Sequence, residues 1–504
     1  MDTGIQSIPR FVDEAARRYG DRPFLVSSGV QRTFAEAAAN AARGAGKLRA
    51  CGVRPGDRVL LSATNGVPLI EAWLAAIHAG AIPAAVNPAL TPSELDYVVS
   101  DLEPRIALGD ADSLAALEAA AGARGVAVAA AGALADAEPA PVPDPDPADA
   151  AAIVYTSGTT SRPKGALVRH LAYVAAGQSM RTWIGLGERE RLWCLLPFFH
   201  INAQAYSLMT ALANGYRLTV SPKFRASTFW RDAAALDVTE VNLIGAMVAI
   251  LEGQPPESYV PGPLRTIYAA PALEPERNRA FERRFDVRIV TGFGMSENTF
   301  GCVESPTSRA KRSSIGRPRV HPDGLVPNEL RIVKTDGTPA ARGEAGELQF
   351  RNAAVTPGYW NAPEVTARTL EDGWLHTGDA GYVDDDGDVV LVGRYKEMIR
   401  RRGENIAPRE VEDALALHPD VREAAVIGVP SALSEEDVVA CVIRVPGASA
   451  DEDALRAWCR ERLAPYKVPM RVLFRDEFPL TPTMRVAKAE LKAQVLPILG
   501  EARR

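Results

Sequence analysis

The chain has 504 residues, 47% hydrophobic and 24% charged, and its 57 Lys and Arg against 63 Asp and Glu give a net charge of −6. This balance excludes a disordered chain, a coiled coil and a collagen-like fibre, and it lacks the basic excess of a nucleic-acid protein. The length suffices for two to four domains with substantial cores.

In chain order, the first residues carry early acids and no uninterrupted apolar run, so they do not read as a secretory signal. Residues 59–62 predict a strand, 69–78 a helix and 82–86 a second strand, a βαβ alternation that favours a parallel sheet. Glu71 and His78 interrupt the most apolar stretch, which predicts a buried helix and strand and no membrane span. Residues 111–150 are Ala-rich and end in EPAPVPDPDPADA, an extended segment in which proline prevents regular helix. A strand at 151–155 runs into a Ser/Thr/Gly loop, and helices and strands alternate from 170 to 300. Short strands and turns dominate 315–393, with a hairpin at the Asp-Gly of 383–389. The last hundred or so residues change to a compact α+β texture. There 411–416 and 451–463 read as helices, and 424–429 and 438–445 as strands. The five cysteines, at 51, 194, 302, 441 and 459, form no CxxC pair and predict a reduced, cytoplasmic setting.

The loop after the strand at 151–155 reads Tyr155-Thr156-Ser157-Gly158-Thr159-Thr160-Ser161-Arg162-Pro163-Lys164-Gly165. Small hydroxyl residues and glycines let backbone N–H groups approach phosphate oxygens, and hydroxyls and Lys164 add donors. It is not a Walker A loop, because Pro163 precedes the lysine and Gly165 follows it. Gly292-Phe293-Gly294 opens like a dinucleotide fingerprint, but Glu297 stands where the third glycine belongs. The six histidines show no HExxH spacing, and no G-x-S-x-G elbow occurs, so zinc and serine-hydrolase chemistry lose their sequence support.

The loop resembles the phosphate-binding signature of adenylate-forming enzymes: acyl-CoA synthetases, peptide-synthetase adenylation domains and luciferases. Four further segments match that family in order. They are Gly292-Phe293-Gly294-Met295-Ser296-Glu297, Trp374-Leu375-His376-Thr377-Gly378-Asp379, Gly393-Arg394-Tyr395-Lys396 with Gly403-Glu404-Asn405-Ile406, and Pro479-Leu480-Thr481-Pro482-Thr483-Met484-Arg485. The texture is closest to crotonobetaine/carnitine-type ligases. The resemblance implies a mixed α/β fold: a large N-terminal domain of βαβ layers with a small barrel-like part, and a smaller mobile α+β C-terminal domain. The expected boundaries are 1–393 for the ATP- and acid-binding domain, 394–396 for a hinge and 397–504 for the lid.

The same resemblance assigns roles. Thr156, Ser157, Gly158, Thr159, Thr160 and Lys164 would hold ATP phosphates. Ala270, Pro271, Gly292, Phe293, Gly294, Met295 and Ser296 would surround the adenine side, where the flat ring of Phe293 suits stacking or, equally, core packing. Asp379 would accept both ribose hydroxyls, with Arg394 in support. Glu297 would ligate Mg²⁺. His200, Asn202, Gly245, Ala246 and Met295 would line the acid pocket, and His200, Thr156 and Lys164 would also count among the catalytic residues, although a histidine after two aromatics also reads as a packed core residue.

Two positions depart from the family pattern. Ser161 replaces a glycine, which keeps the backbone N–H. More consequentially, Met484 and Arg485 occupy the glycine and lysine positions of the adenylation motif, with a second basic residue, Lys488, three residues on. Lysine and arginine are not interchangeable there, so the resemblance leaves three readings: Arg485 serves as the catalytic cation, Lys488 reaches in from the same loop, or the pocket handles another small anion. Only nine of the basic residues are Lys, and three of them, Lys164, Lys396 and Lys488, fall on motifs. Arg400-Arg401-Arg402 reads either as a solvated basic loop or as a site for coenzyme A phosphates.

The expected reaction is ATP-dependent carboxylate–CoA ligation through an acyl-adenylate, using ATP and Mg²⁺, with coenzyme A as second substrate. One alternative adenylates nitrite and passes a nitrosyl unit to an aryl amine; another is a non-catalytic nucleotide-binding protein. The expected partners are small molecules, with no nucleic acid and no membrane, and a homo-oligomer is compatible with this reading.

Overall fold

In the computed structural model the described residues are 4–134, 137–156, 163–270, 275–306, 311, 313–394, 397–401, 404–431, 436–480 and 486–501, without the side chains of 400, 404, 405, 500 and 501. Their contacts divide the chain into two units, Met1–Leu330 with Phe350–His376, and Arg331–Gln349 with Thr377–Arg504.

The first unit is built on strands that are almost continuously apolar, as parallel strands covered on both faces must be. One sheet runs in the order Ala127–Ala130, Ile106–Gly109, Arg58–Ser62, Ile82–Val86, Ala150–Thr156 and Lys164–Arg169. Its pairs are parallel except the last, a hairpin that registers Thr156 against Lys164. A second sheet runs Ser314–Pro318, Asn298–Val303, Arg288–Met295, Thr266–Ala270, Glu240–Ile244, Arg191–Cys194, Arg217–Val220, Pro23–Ser27 and Val30–Thr33. Its six strands from Arg288–Met295 to Pro23–Ser27 are parallel, and antiparallel pairs flank them at both ends.

Helices Ile8–Tyr19, Phe34–Ala50, Val67–His78 and His170–Ile184 contribute the largest core cluster, centred on Trp73, whose ring meets Tyr173 and Phe198 edge-on. Thr33 and Thr91 start their helices with reciprocal capping boxes to Glu36 and Glu94, which satisfy otherwise orphaned N–H groups. His78 and His170 are buried, and burial lowers the pKa of each to about 4, so both are neutral structural residues at neutral pH.

Glu240 is a polar residue that its strand carries into the core. It is 2% exposed, and its Oε1 has no hydrogen-bond partner among the described residues. Burial, and then the neighbouring Glu190, push its carboxyl well above the usual range, so it stays protonated. Glu190 is satisfied by Gly187 N, Thr239 Oγ1 and Arg265. The folded state therefore keeps a proton that the unfolded chain loses above its own carboxyl pKa, so this group's contribution to stability falls as pH rises from there toward the folded value, by up to about 1.4 kcal/mol per pH unit. Thermal melts from pH 5 to 8 are expected to show Glu240→Gln gaining on wild type as pH rises. A difference that does not change with pH would contradict the assignment.

The second unit holds Val389–Arg394, most of Trp374–Val383, the hairpin Ile399–Arg401 with Glu404–Ile406, and a mixed sheet of Val421–Pro430, Glu436–Arg444 and Arg471–Phe474. Pro408–Ala416 and Glu452–Arg460 supply one of its core clusters, and Lys488–Glu501 supplies another. Of the expected hinge 394–396, Arg394 lies within this unit, and 395 and 396 are outside the described residues.

The expected strands and helices lie inside the observed elements, except that the expected helix 451–463 is shorter, Glu452–Arg460, and the expected strand 438–445 ends one residue earlier, at Arg444. The Ala-rich stretch is more ordered than its composition predicts: Leu114–Ala120 is helical and Ala127–Ala130 forms a sheet edge, while 137–149 has neither helix nor strand. The helices Pro363–Thr369 and Lys488–Glu501 were not among the expected elements. No helix among the described residues is long and apolar enough to cross a membrane.

Candidate active site

Four candidate segments, far apart in sequence, follow the carboxyl ends of four parallel strands that lie side by side. His200 and Asn202 come after Arg191–Cys194, Gly245 and Ala246 after Glu240–Ile244, Ala270 ends Thr266–Ala270, and Gly292 to Ser296 close Arg288–Met295. In open α/β sheets this edge, where loops leave the strands, is where ligands bind. Pro271 lies outside the described residues.

Phe293 is half-buried, with its ring 6.2 Å from that of Phe350 and inclined by 19°. One face is therefore backed by another aromatic. Met295 and Ser296 are also half-buried, and Gly294 is exposed. Glu297 is 6% exposed; its Oε1 accepts the Tyr359 hydroxyl at 2.7 Å, and its carbonyl accepts Thr356 N. Tyr359 thus fixes one carboxylate oxygen. Among the described residues no group of three His, Cys, Asp or Glu could hold a metal on its own. A hard cation that draws most of its ligands from phosphate and water, as Mg²⁺ does, fits a single carboxylate of this kind.

Asn202 begins a π-helical turn, Asn202–Leu208, a backbone irregularity often found at functional positions. Its Oδ1 is buried without a hydrogen-bond partner among the described residues. Asn242 Nδ2 donates to Ser207 Oγ at 3.0 Å, and its own Oδ1 is likewise unpartnered. His200 is half-buried, with its ring 4.5 Å from that of Phe199. Gly245 is buried and Ala246 exposed.

In the other sheet of this unit, Thr156 ends its strand and Lys164 starts the next. The Thr156 hydroxyl donates to the Lys164 carbonyl at 3.3 Å. The pair forms the base of the hydroxyl-rich loop, while Ser157, Gly158, Thr159, Thr160 and Ser161 lie outside the described residues.

In the second unit Asp379 and Arg394 are cross-strand partners. Arg394 Nε stands 2.9 Å from Asp379 Oδ1, and Asp379 is 5% exposed. Gly378, at φ +69°, makes the bend before it, and its N–H donates to Glu347. Thr377 Oγ1 accepts from Asp379 N and donates to the Leu348 carbonyl, which fixes the turn. This carboxylate is held in place before any ligand arrives.

The two candidate catalytic cations differ. Lys488 Nζ lies 2.7 Å from Glu412 and 3.5 Å from Glu397, so its charge is already balanced. Arg485, with Thr481 to Met484, lies outside the described residues. Of the arginine triplet, Arg401 donates to the carbonyls of Tyr466 and Val468 and pairs with Asp437 at 3.4 Å, which is an internal bracing role. The sequence reading quoted Thr377 within a motif without giving it a role, and it missed Tyr359, which lies in none of the quoted segments.

The profile of the AMP-binding enzyme family matches residues 12–360, and that of the AMP-binding enzyme C-terminal domain matches 410–485. The chain is 34% identical to a sulfoacetate–CoA ligase of Cupriavidus necator over 94% of this chain and 95% of that one. It is also 34% identical to a 2-succinylbenzoate–CoA ligase of Geobacillus kaustophilus (97% and 98%) and 28% identical to a crotonobetaine/carnitine–CoA ligase of Salmonella paratyphi A (97% and 99%). Among solved structures, ATP-bound MatB from Rhodopseudomonas palustris superposes with a TM-score of 0.88 at 27% identity, covering 96% of this chain and 98% of that one. The o-succinylbenzoate CoA synthetase MenE of Bacillus subtilis, in complex with its acyl-adenylate intermediate, gives 0.86 at 26% (97% and 99%).

Proposed function

The chain belongs to the AMP-binding enzyme family of adenylate-forming ligases, and on that footing we propose that it joins a small carboxylic acid to coenzyme A at the expense of ATP. The observation that carries this reading is the row of candidate segments along the carboxyl ends of four adjacent parallel strands.

In the proposed first step a carboxylate oxygen attacks the α-phosphorus of ATP. The bond to the bridging oxygen breaks, pyrophosphate leaves and an acyl-adenylate remains. Adenine stacks on the face of Phe293 that Phe350 does not back, and Asp379 accepts the ribose hydroxyls. The hydroxyl loop, based on Thr156 and Lys164, binds the leaving phosphates. Mg²⁺, when bound at Glu297, supplies charge neutralisation on the phosphate oxygens. Arg485 provides the cation between acid and α-phosphate, a role for which its permanent charge suits it and for which the ion-paired Lys488 is poorly placed. In the second step the thiolate of coenzyme A attacks the acyl carbon and AMP leaves. A swing about residues 394–396 between the steps would exchange the face that the C-terminal part presents.

The test is pyrophosphate exchange into ATP without coenzyme A, measured for a panel of acids and for nitrite. Acid-dependent exchange supports the reading. Exchange driven by nitrite alone, with AMP released upon adding an aryl amine and no thiol requirement, would replace it with nitrosyl transfer.

A further inference from the structure

Arg319 follows the strand Ser314–Pro318 and is 1% exposed, one of the largest fully buried side chains of the protein. Its donors meet only neutral groups: the carbonyls of Cys302 at 3.0 Å and Thr299 at 3.1 Å, and the Tyr268 hydroxyl. Among the described residues no carboxylate pairs with it. Its carbon Cζ lies 4.9 Å from the ring centres of Trp183 and Tyr206 and 5.5 Å from that of Tyr268. The aromatic faces offset part of the desolvation cost by cation–π attraction. Burying a guanidinium costs several kcal/mol, and an arginine cannot escape by losing its proton. The described residues therefore hold a whole positive charge without giving it a negative partner.

Its neighbours tie that charge to the candidate site, on the acid side through Tyr206 and on the adenine side through Tyr268. Tyr206 stands on the π-helical turn that starts at Asn202, and Tyr268 on the strand that ends at Ala270. A Cβ on Gly292 would stand 2.3 Å from the Tyr268 hydroxyl and 2.5 Å from Arg319 Nη2; one on Gly294 would stand 2.5 Å from the Tyr206 hydroxyl. Only glycines let this strand lie directly on the two phenols and the guanidinium. At these two positions no side chain stands between the strand and the charge, and in a low-dielectric interior it acts on its surroundings far more strongly than in water.

We propose that Arg319 is the specificity-determining charge of the acid pocket, selecting substrates that carry a second anionic group, a carboxylate or a sulfonate, beside the carboxylate that is adenylated. This rests on the ligase reading above. A second anion restores the missing counter-charge, whereas a cationic acid of the betaine type adds a like charge. The same arrangement holds the phenols of Tyr206 and Tyr268 against the glycine strand.

The test compares acids of matched length in the exchange assay with the full chain: malonate against propionate, succinate against butyrate, and sulfoacetate against propionate. Wild type is expected to favour the doubly charged member of at least one pair by about 100-fold in kcat/KM. In Arg319→Met this ratio falls to about one or below while KM for ATP stays within about threefold; Arg319→Lys keeps the preference. The wild-type ratios need no variant, so they decide the matter even if Arg319→Met fails to fold. Equal or better exchange with the singly charged acids or with nitrite, or an unchanged ratio in Arg319→Met, overturns the inference and leaves the adenylating activity standing. Absence of exchange with every acid and with nitrite overturns both.

Discussion

Arg485→Ala is expected to reduce acid-dependent pyrophosphate exchange by roughly 100- to 1000-fold, the loss that follows removal of one preorganised group acting on developing charge. Thioester formation from a supplied acyl-adenylate should fall far less, because no pyrophosphate departs in that step. The companion Lys488→Met separates the two basic residues of this segment. Lys488 already faces Glu412 and Glu397, so its loss leaves two carboxylates without their cation, and a lower Tm is its main signature. Should Lys488→Met abolish exchange in a chain that melts like wild type, with Arg485→Ala retaining it, the assignment of the cation is wrong.

The second large effect is at Asp379. Its carboxylate is nearly buried, fixed by Arg394 from the facing strand and by the Thr377 turn. Two hydroxyls bonded to a fixed charged acceptor are worth about 1.5–3 kcal/mol each. Asp379→Ala should therefore lower kcat/KM for ATP by roughly 100-fold or more, at about 1.4 kcal/mol per tenfold. KM for the acid should move little, which distinguishes loss of a ribose contact from general collapse of the site. An unchanged KM for ATP would mean that Asp379 serves the Arg394 pair alone.

Elements whose signal is local were legible in the sequence. Apolar runs such as Val59-Leu60-Leu61 fixed the parallel strands, because a strand covered on both faces must be apolar throughout. Thr156 and Lys164 stood out by composition alone, as small donors next to a strand. The helix Lys488–Glu501 escaped because Pro497 interrupts it, a breaking signal that packing overrides. The π-helical turn at Asn202 has no sequence mark, since its geometry comes from the elements around it. Glu240 reads as the polar start of a strand and becomes a buried acid only because parallel neighbours lie on both sides.

Arg319 is the sharpest case. In a chain with 57 basic residues, most of them arginine, one more in Gly316-Arg317-Pro318-Arg319 carries no signal. Its meaning arises from three aromatic residues and two glycines that the fold gathers from distant segments.

The central claim is that ATP is split between its α- and β-phosphates to activate an acid. Chromatographic quantification of nucleotide products, with the protein, ATP, Mg²⁺, the acid panel and coenzyme A, tests it most directly. The account predicts AMP and thioester in equal amounts, both dependent on the acid. ADP and phosphate as products, or AMP formation indifferent to every acid, would contradict it.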